Sequence, residues 1–176
     1  MSYEGKILTT DPIYVGSTIL GMKYNNGVVL GCDMRLNYGG LCKFNNITDR
    51  IQQINHNTFL TSTGEYSDFQ EFTRILKEEA TEDALNQNSY LGPQELTNYL
   101  ATISYQRRNK MNPFFNSTLI GGIGQDNKPV LSHVDQFGTL LEGDYLVTGL
   151  GFYFCNSILA VEYPSDHTKV TREQAL

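Results

Sequence analysis

The chain has 176 residues and a net charge of −6, because 19 Asp and Glu residues outnumber 13 Lys and Arg residues. This length suits one domain with a sizeable core, and the acidic balance argues against non-specific binding to nucleic acid. No apolar run approaches the roughly 18 residues that a membrane-spanning helix needs, and the N-terminus lacks the apolar centre of a signal peptide. We therefore expect an acidic globular protein of the cytoplasm and nucleus, with neither nucleic acid nor membrane among its partners.

The three cysteines, Cys32, Cys42 and Cys155, are an odd number without a C-x-x-C spacing. This pattern argues against both a disulfide framework and a zinc site. The Gly-rich stretch at residues 121–124 superficially suggests a phosphate loop, but no Lys-Ser or Lys-Thr pair follows it. We therefore expect neither a metal nor a cofactor.

Residues 1–16 are mixed polar and small, with Pro12 interrupting any regular element, and they predict an extended leader segment. We expect most of this leader to be retained, with a mature start at Thr9 as the alternative.

Two short stretches, residues 17–22 and 28–32, predict a pair of β-strands at the start of the domain. The Asn-Asn-Gly sequence at residues 25–27 favours a tight turn between them, because Asn and Gly tolerate positive φ angles. Antiparallel pairing would place the hydroxyl of Ser17 beside the carboxylate of Asp33. A core hairpin without any function would carry the same pattern.

Residues 38–46 are rich in Gly and Asn and predict a loop, followed by strands over residues 51–55 and 58–62. His56 lies in the polar turn between these two strands. With no other His nearby in the sequence, we interpret His56 as a turn residue rather than as a metal ligand or general base.

Two helices are predicted next. Ser67 begins the first, with Gln70 completing a capping box, and Pro93 suits the first turn of the second, which Asn112 and Pro113 end. Both helices carry apolar residues at helical spacing, so each should pack on a sheet by one face. The predicted buried positions are Phe69, Phe72, Leu76 and Ala80 in the first helix and Leu96, Tyr99, Leu100 and Ile103 in the second.

The rest of the chain predicts a meander of strands that ends in short helices. The predicted strands are residues 115–121, 129–134, 139–142 and 146–148. The apolar residues 152–161 predict a short helix, and Thr171 is the predicted cap of a last helix beginning at Arg172.

The predicted hairpin resembles the opening of a proteasome β subunit, an N-terminal-nucleophile hydrolase family in which a threonine starts the first strand and an aspartate closes the second. A more specific stretch, YQRRNKMNPFFNSTLIGG at residues 105–122, resembles the non-catalytic members at the seventh position of the β ring. TGEYSDFQ at residues 63–70 and YGGLCKFNNITDRI at residues 38–51 agree with this resemblance. It implies an α+β fold, the four-layer αββα sandwich of N-terminal-nucleophile hydrolases, over residues 17–176, with a C-terminal part of the domain missing.

The resemblance also implies which residues stand at the family's catalytic positions. Ser17 falls at the nucleophile, Asp33 at the aspartate, Arg50 at the lysine, Gly64 at the oxyanion-hole glycine and Leu150 at a serine. The nucleophile of this family also needs a free α-amino group as its base, and here sixteen residues precede it. These positions therefore predict a vestigial site rather than a working one.

The function implied by the resemblance is that of a non-catalytic structural subunit of the 20S proteasome core particle. Such a subunit completes the β ring, and its partners are the other α and β subunits of a hetero-oligomeric stacked-ring particle and the protein substrates that the particle degrades. The alternative is an active serine-type peptidase that uses Ser17 after cleavage at Gly16. A homo-oligomeric hydrolase is a third possibility.

A basic run follows the second predicted helix. Cations at a helix C-terminus complement the helix dipole, so a solvated helix end would explain this run without any function. Its likeness to the seventh β subunits favours a contact with a neighbouring subunit instead. The candidate contact residues are Arg107, Arg108, Lys110 and Met111.

Overall fold

In a computed structural model of the chain, the described residues are 18–38, 41–45, 50–87 and 90–176. The predicted leader, and with it Ser17 and Gly16, lies outside them. The described strands are β1 (Thr18–Tyr24), β2 (Gly27–Cys32), β3 (Arg35–Tyr38), β4 (Leu41–Asn45), β5 (Ile51–Asn55), β6 (Thr58–Gly64), β7 (Asn116–Ile123), β8 (Pro129–Val134), β9 (Leu140–Glu142) and β10 (Tyr145–Gly149). The helices are α1 (Tyr66–Gln87), α2 (Pro93–Asn109), α3 (Phe152–Glu162) and α4 (Arg172–Ala175), with a single 3₁₀ turn at His167–Lys169.

The predicted hairpin is confirmed from Thr18 onward. Strands β1 and β2 pair antiparallel, in a register that sets Ile19 opposite Cys32 and Tyr24 opposite Gly27. Strand β10 pairs antiparallel on the other side of β1, so the three-stranded sheet has the order β10-β1-β2. The hairpin therefore brings the beginning of β1 and the end of β2 to the same end of this sheet.

A second sheet contains five strands in the order β5-β6-β7-β8-β9. Each neighbouring pair is antiparallel, which confirms the predicted meander and the predicted strand pair around His56. The expected loop at residues 38–46 is wrong, because β3 and β4 pair antiparallel as a separate two-stranded sheet. The Gly-Gly pair between these strands suits a hairpin turn as well as a loop, and composition alone favoured the loop.

Helices α1 and α2 cover the five-stranded sheet with the faces that helical spacing predicts. Leu76 of α1 and Leu96 of α2 are almost fully buried, and Tyr99 and Ile103 pack against the same core while partly exposed. The buried core is Leu60, Phe69, Phe72, Leu76, Ala80, Leu96, Leu100, Phe114, Ile120 and Val134. No helix among the described residues combines the length and the apolar character needed to cross a bilayer.

The beginning of α1 differs from the prediction. The helix begins at Tyr66, and the Glu65 carboxylate accepts hydrogen bonds from the Ser67 backbone N–H (3.2 Å) and the Ser67 hydroxyl (2.6 Å). Glu65 thus supplies the acceptor that the predicted capping box assigned to Ser67, because an acceptor placed ahead of the first turn satisfies otherwise unpaired donors equally well. At α4 the prediction is confirmed, since Thr171 and Gln174 form a capping box.

The two larger sheets pack face to face because small residues let them approach. A Cβ atom on Gly121 of β7 would lie 2.8 Å from Val28 Cγ1, and one on Gly21 of β1 would lie 2.8 Å from a Leu131 methyl group. With α1 and α2 on one side and α3 in contact with β10, the layers follow the order α, β, β, α. The predicted α+β layered sandwich is confirmed.

Helix α3 presents an apolar surface. None of its side chains is buried, and its exposed apolar residues are Phe152, Tyr153, Phe154, Ile158 and Val161. Exposed apolar surface of this extent is typical of a face that another protein covers.

The end of α2 is closed by a Schellman motif. The Asn112 N–H donates to the Arg107 carbonyl (3.0 Å), and the Met111 N–H donates to the Arg108 carbonyl (3.0 Å). The residue at the left-handed position of this motif is Met111, with φ of 54°, where glycine is the usual residue. A methionine in this conformation strains the backbone, because its Cβ approaches a carbonyl oxygen.

Met111→Gly should therefore stabilise the chain against unfolding by about 1 kcal/mol, since relief of the left-handed strain exceeds the added entropy of the unfolded chain. Urea denaturation of the purified chain measures this difference. Asn98→Gly, at an exposed position inside the same helix, is the control and should destabilise, because glycine is a poor helix former. An unchanged or lower midpoint for Met111→Gly would contradict the prediction.

Candidate functional site

The register of the three-stranded sheet places the start of β1 against the end of β2. The Thr18 N–H donates to Asp33 Oδ1 (3.2 Å), and the Asp33 N–H donates to the Thr18 carbonyl (3.2 Å). Ser17 itself lies outside the described residues, so the predicted contact between its hydroxyl and Asp33 stays a prediction. The residue after it, Thr18, is held beside Asp33 by the two hydrogen bonds just given.

Arg50 is the charged side chain at the centre of this region. It immediately precedes β5, and its side chain is 1% exposed. Nη1 donates to the Asp33 carbonyl (2.6 Å) and forms an ion pair with Asp33 Oδ1, while Nη2 donates to the Ser62 carbonyl (3.1 Å). Asp33 follows a strand of the three-stranded sheet and Ser62 lies in the five-stranded sheet, so the guanidinium joins the two sheets.

These contacts limit what Arg50 can do chemically. A lysine ammonium is a compact charge on a flexible chain, whereas the guanidinium is a planar fork that stays protonated. Both terminal nitrogens of Arg50 already donate to the chain's own oxygens. The arrangement therefore holds Asp33 and the two sheets in place.

Gly64 ends β6, where the backbone requires glycine. Its φ is 103°, and a Cβ atom there would lie 2.0 Å from the Phe115 carbonyl oxygen. On either side of it, the Thr63 and Glu65 carbonyls accept hydrogen bonds from the Asn116 amide (3.1 and 2.9 Å). The tight turn by itself explains why this residue is glycine. The glycine is therefore not evidence for an oxyanion hole.

Leu150 lies just after β10, and 60% of its surface is exposed. It lines a cleft of about 480 Å³ together with Gly64 and Thr148. The cleft lies beside β1, because Gly149, which also lines it, pairs with Thr18. Asp33, Arg50, Gly64 and Leu150 thus lie in the region around the start of β1, and their assignment to the family's catalytic positions stays a prediction.

Two further side chains, those of Cys32 and His56, belong to residue types that can react or bind a metal. Burial raises the pKa of the Cys32 thiol, and the neighbouring Arg50 charge opposes this effect only in part, so Cys32 is a poor nucleophile at neutral pH. His56 lies exposed in the predicted turn and forms an edge-on contact with Tyr90. Among the described residues, no three His, Cys, Asp or Glu side chains are placed to hold a metal ion.

Sequence reasoning missed a polar cluster between the sheets. Ser117 Oγ lies 2.6 Å from His133 Nε2 and 2.8 Å from Thr148 Oγ1. Ser117 and His133 belong to β7 and β8 of the five-stranded sheet, and Thr148 belongs to β10 of the other. The period-two alternation of β7 and β8 could have put Ser117 and His133 on one face, but the contact with Thr148 depends on how the sheets pack.

Desolvation lowers the pKa of His133, and the nearby Asp135 carboxylate opposes this effect only in part. The imidazole is therefore neutral at pH 7, and it completes a hydrogen-bonded chain with the two hydroxyl groups. Asp135 is already engaged elsewhere, because its Oδ1 accepts from the Phe137 and Thr139 backbone N–H groups (2.8 Å each). The cluster satisfies polar groups inside the sandwich and forms a second connection between the sheets.

The candidate contact residues at the end of α2 divide into two kinds. Arg107 is used within the chain, since its Nε donates to the Asn112 carbonyl (3.2 Å) and its guanidinium lies 4.1 Å from the centre of the buried Phe114 ring. Arg108, Lys110 and Met111 are exposed. They make no ion pair with any described residue, so their predicted role in subunit contact stays a prediction.

Arg50→Met should destabilise the chain by about 3 kcal/mol, because it leaves the Asp33 carboxylate and the Ser62 carbonyl without their buried donor. The midpoint of urea denaturation measures this loss. Arg74→Met is the matched control, since Arg74 also pairs with carboxylates, those of Glu71 and Glu78, but on the exposed face of α1. Its change should be much smaller, and equal losses in the two variants would contradict the structural role of Arg50.

His133 makes stability depend on pH. Its folded pKa lies below the unfolded value of about 6.5, so the unfolded chain binds more protons between the two values. Stability should be complete above pH of about 6.5 and should fall as the pH drops through the folded pKa. His133→Gln should flatten this dependence between pH 7.5 and 5 in urea denaturation, whereas the exposed His56→Gln should retain it; parallel curves for wild type and His133→Gln would refute the assignment.

Comparison with known proteins agrees with this geometry. A family model described as "Proteasome subunit" matches residues 13–176. The chain is 39% identical over 156 residues to proteasome subunit beta type-4 of Dictyostelium discoideum, covering 88% of this chain and 60% of that protein. It is 36% identical over 159 residues to proteasome subunit beta type-4 of Arabidopsis thaliana, covering 90% and 64%. It is 34% identical over 174 residues to proteasome subunit beta type-7 of Saccharomyces cerevisiae, covering 95% and 65%.

The chain thus spans slightly under two thirds of the length of these relatives. The family match extends over more than half of the chain and includes every described element. Together with the layered α+β sandwich, it shows that the chain belongs to the proteasome subunit family.

Proposed function

We propose that this chain is a non-catalytic structural subunit of the 20S proteasome core particle, where it completes the β ring and contacts neighbouring subunits. The names of its relatives support a β-type subunit. The exposed apolar face of α3 supports assembly with other chains, because a face of this kind is unfavourable in water. The proposed partners are other α and β subunits, and the proposed location is the cytoplasm and nucleus.

The observation that carries the non-catalytic part of this proposal is the bonding of Arg50. At the position where the resemblance implies a catalytic lysine, the guanidinium is buried and divided between Asp33 and the Ser62 carbonyl. Leu150 supports the same conclusion, because its side chain has no hydroxyl for proton transfer.

Assembly is tested by tagging the chain at its own locus, purifying it under native conditions and measuring subunit masses. We expect a stacked-ring particle that contains many distinct subunits of similar mass. A particle with one repeated mass would instead indicate a homo-oligomeric hydrolase, and a free monomer would refute the proposal.

The absence of catalysis is tested on the same particles with an electrophilic inhibitor of N-terminal nucleophiles, followed by mapping of the labelled peptides. We expect no adduct on Ser17, and Ser17→Ala particles should retain all peptidase activities. Labelled threonines on other subunits serve as the internal control. An adduct on Ser17 with a free amino group would support the rival, a serine-type peptidase released by cleavage at Gly16.

A further inference from the structure

A cationic side chain stands between two half-exposed aromatic rings at the end of α2. The Arg108 guanidinium carbon lies 5.6 Å from the centre of the Tyr105 ring and 5.8 Å from the centre of the Phe137 ring. Half of each aromatic residue's surface is exposed, 51% for Tyr105 and 50% for Phe137. We call these three residues the Arg108 patch.

The patch is held in place by the backbone on both sides. Tyr105 and Arg108 are three residues apart on α2 and so share one helix face. Phe137 lies in the turn between β8 and β9, where Asp135 Oδ1 accepts from its N–H (2.8 Å). Gly138 brings this turn against α2, because a Cβ atom there would lie 2.8 Å from the Ala101 carbonyl and 2.9 Å from Tyr105.

Within the part of the chain that the structure describes, the contacts of the Arg108 guanidinium are with the two rings. It forms no ion pair and no side-chain hydrogen bond with any described residue, whereas Arg50 and Arg107 both donate to carbonyls. Both ring centres lie within the range of a cation–π contact, and the residue is exposed, so the planar group remains accessible to a partner. Lys110 adds a second exposed cation nearby in the sequence.

Met111 adds exposed apolar surface at the same helix end. Its residue surface is 81% exposed, although its backbone adopts the unfavourable left-handed conformation. The Schellman motif accounts for this backbone conformation, and strained positions also occur where proteins contact ligands. The helix end therefore offers a fixed cationic fork, two aromatic faces and a flexible thioether.

We propose that the Arg108 patch binds an acidic segment of a neighbouring protein chain, with a carboxylate accepting two parallel hydrogen bonds from Arg108 and with apolar side chains covering Tyr105, Phe137 and Met111. Charge complementarity supports this partner, because Arg–carboxylate pairs favour such a fork geometry. The chain as a whole carries a net charge of −6, so attraction to any anionic partner is confined to this local patch, and the identity of the cross-linked partner separates an acidic protein segment from a nucleic-acid backbone. This inference rests on the proposed function in that the neighbour is taken to be a proteasome subunit.

Photo-cross-linking identifies the partner directly. Exposed Asn109, beside Arg108 on α2, is replaced by p-benzoylphenylalanine in the tagged full-length chain, and the cross-linked peptide is sequenced after irradiation in cells. We expect a peptide from one proteasome subunit that carries Asp or Glu near the cross-link. A peptide without a carboxylate, a cross-link to nucleic acid, or no cross-link at all overturns the proposal.

Charge variants then measure the contribution of Arg108. Arg108→Glu should lower the cross-link yield at least tenfold, and Arg108→Lys should lower it severalfold, because lysine keeps the charge but lacks the fork. Lys128→Glu is the control with the same charge change, since Lys128 precedes β8 at the opposite end of that strand from Phe137 and pairs with exposed Asp126. It should leave the yield unchanged.

A charge exchange separates binding from any folding defect. Replacing the identified acidic residue by arginine should restore the yield with Arg108→Glu and lower it with wild type. If Arg108→Glu cross-links as well as wild type, the acidic-segment proposal is wrong. The proposed function still stands in that case, provided that the particle contains the chain. If the cross-linked acidic partner is not a proteasome subunit, the proposed function fails while acidic recognition by Arg108 stands.

Discussion

One buried guanidinium joins the two main sheets of this chain. Arg50 donates to Asp33 at the end of β2 and to the Ser62 carbonyl in β6, so the distance between the sheets at this end depends on the span of its fork. A buried charge is costly unless it is paired and hydrogen-bonded. Both conditions are met here, and they fix three features together: the position of Asp33, the start of β1 beside it, and the approach of β6.

The cluster of Ser117, His133 and Thr148 makes a second polar connection between the same sheets. The β1–β10 register sets Ile19 opposite Thr148, one residue from Thr18, so the two connections lie at one end of the sandwich. At this end, ionic and hydrogen-bonded groups join the two sheets. On the helix-covered side of the five-stranded sheet, the contacts are made by apolar side chains.

The sequence alone predicted those elements whose pattern is local. The hairpin of β1 and β2 has alternating residues and a clear turn, and the α1 and α2 faces follow helical spacing, so the structure confirms them. The β3–β4 pair was missed because the Gly and Asn residues of this stretch favour a loop prediction. Its apolar runs are too short to outweigh them. The bonds of Arg50 to Ser62 and of Ser117 to Thr148 could not be predicted, because each joins strands of different sheets, whose packing no local pattern encodes.

Three arginines illustrate how burial decides what one side chain does. Arg50 is enclosed, so its charge must be matched within the chain, and it serves the fold. Arg107 covers the buried Phe114 ring and donates to the end of its own helix, which makes it part of the helix terminus. Arg108 is the next residue, yet it lies between two half-exposed rings and donates to no side chain or carbonyl among the residues that the structure describes. Because sequence position alone treats Arg107 and Arg108 alike, only their surroundings separate a residue that holds a helix end from one that is available to a partner.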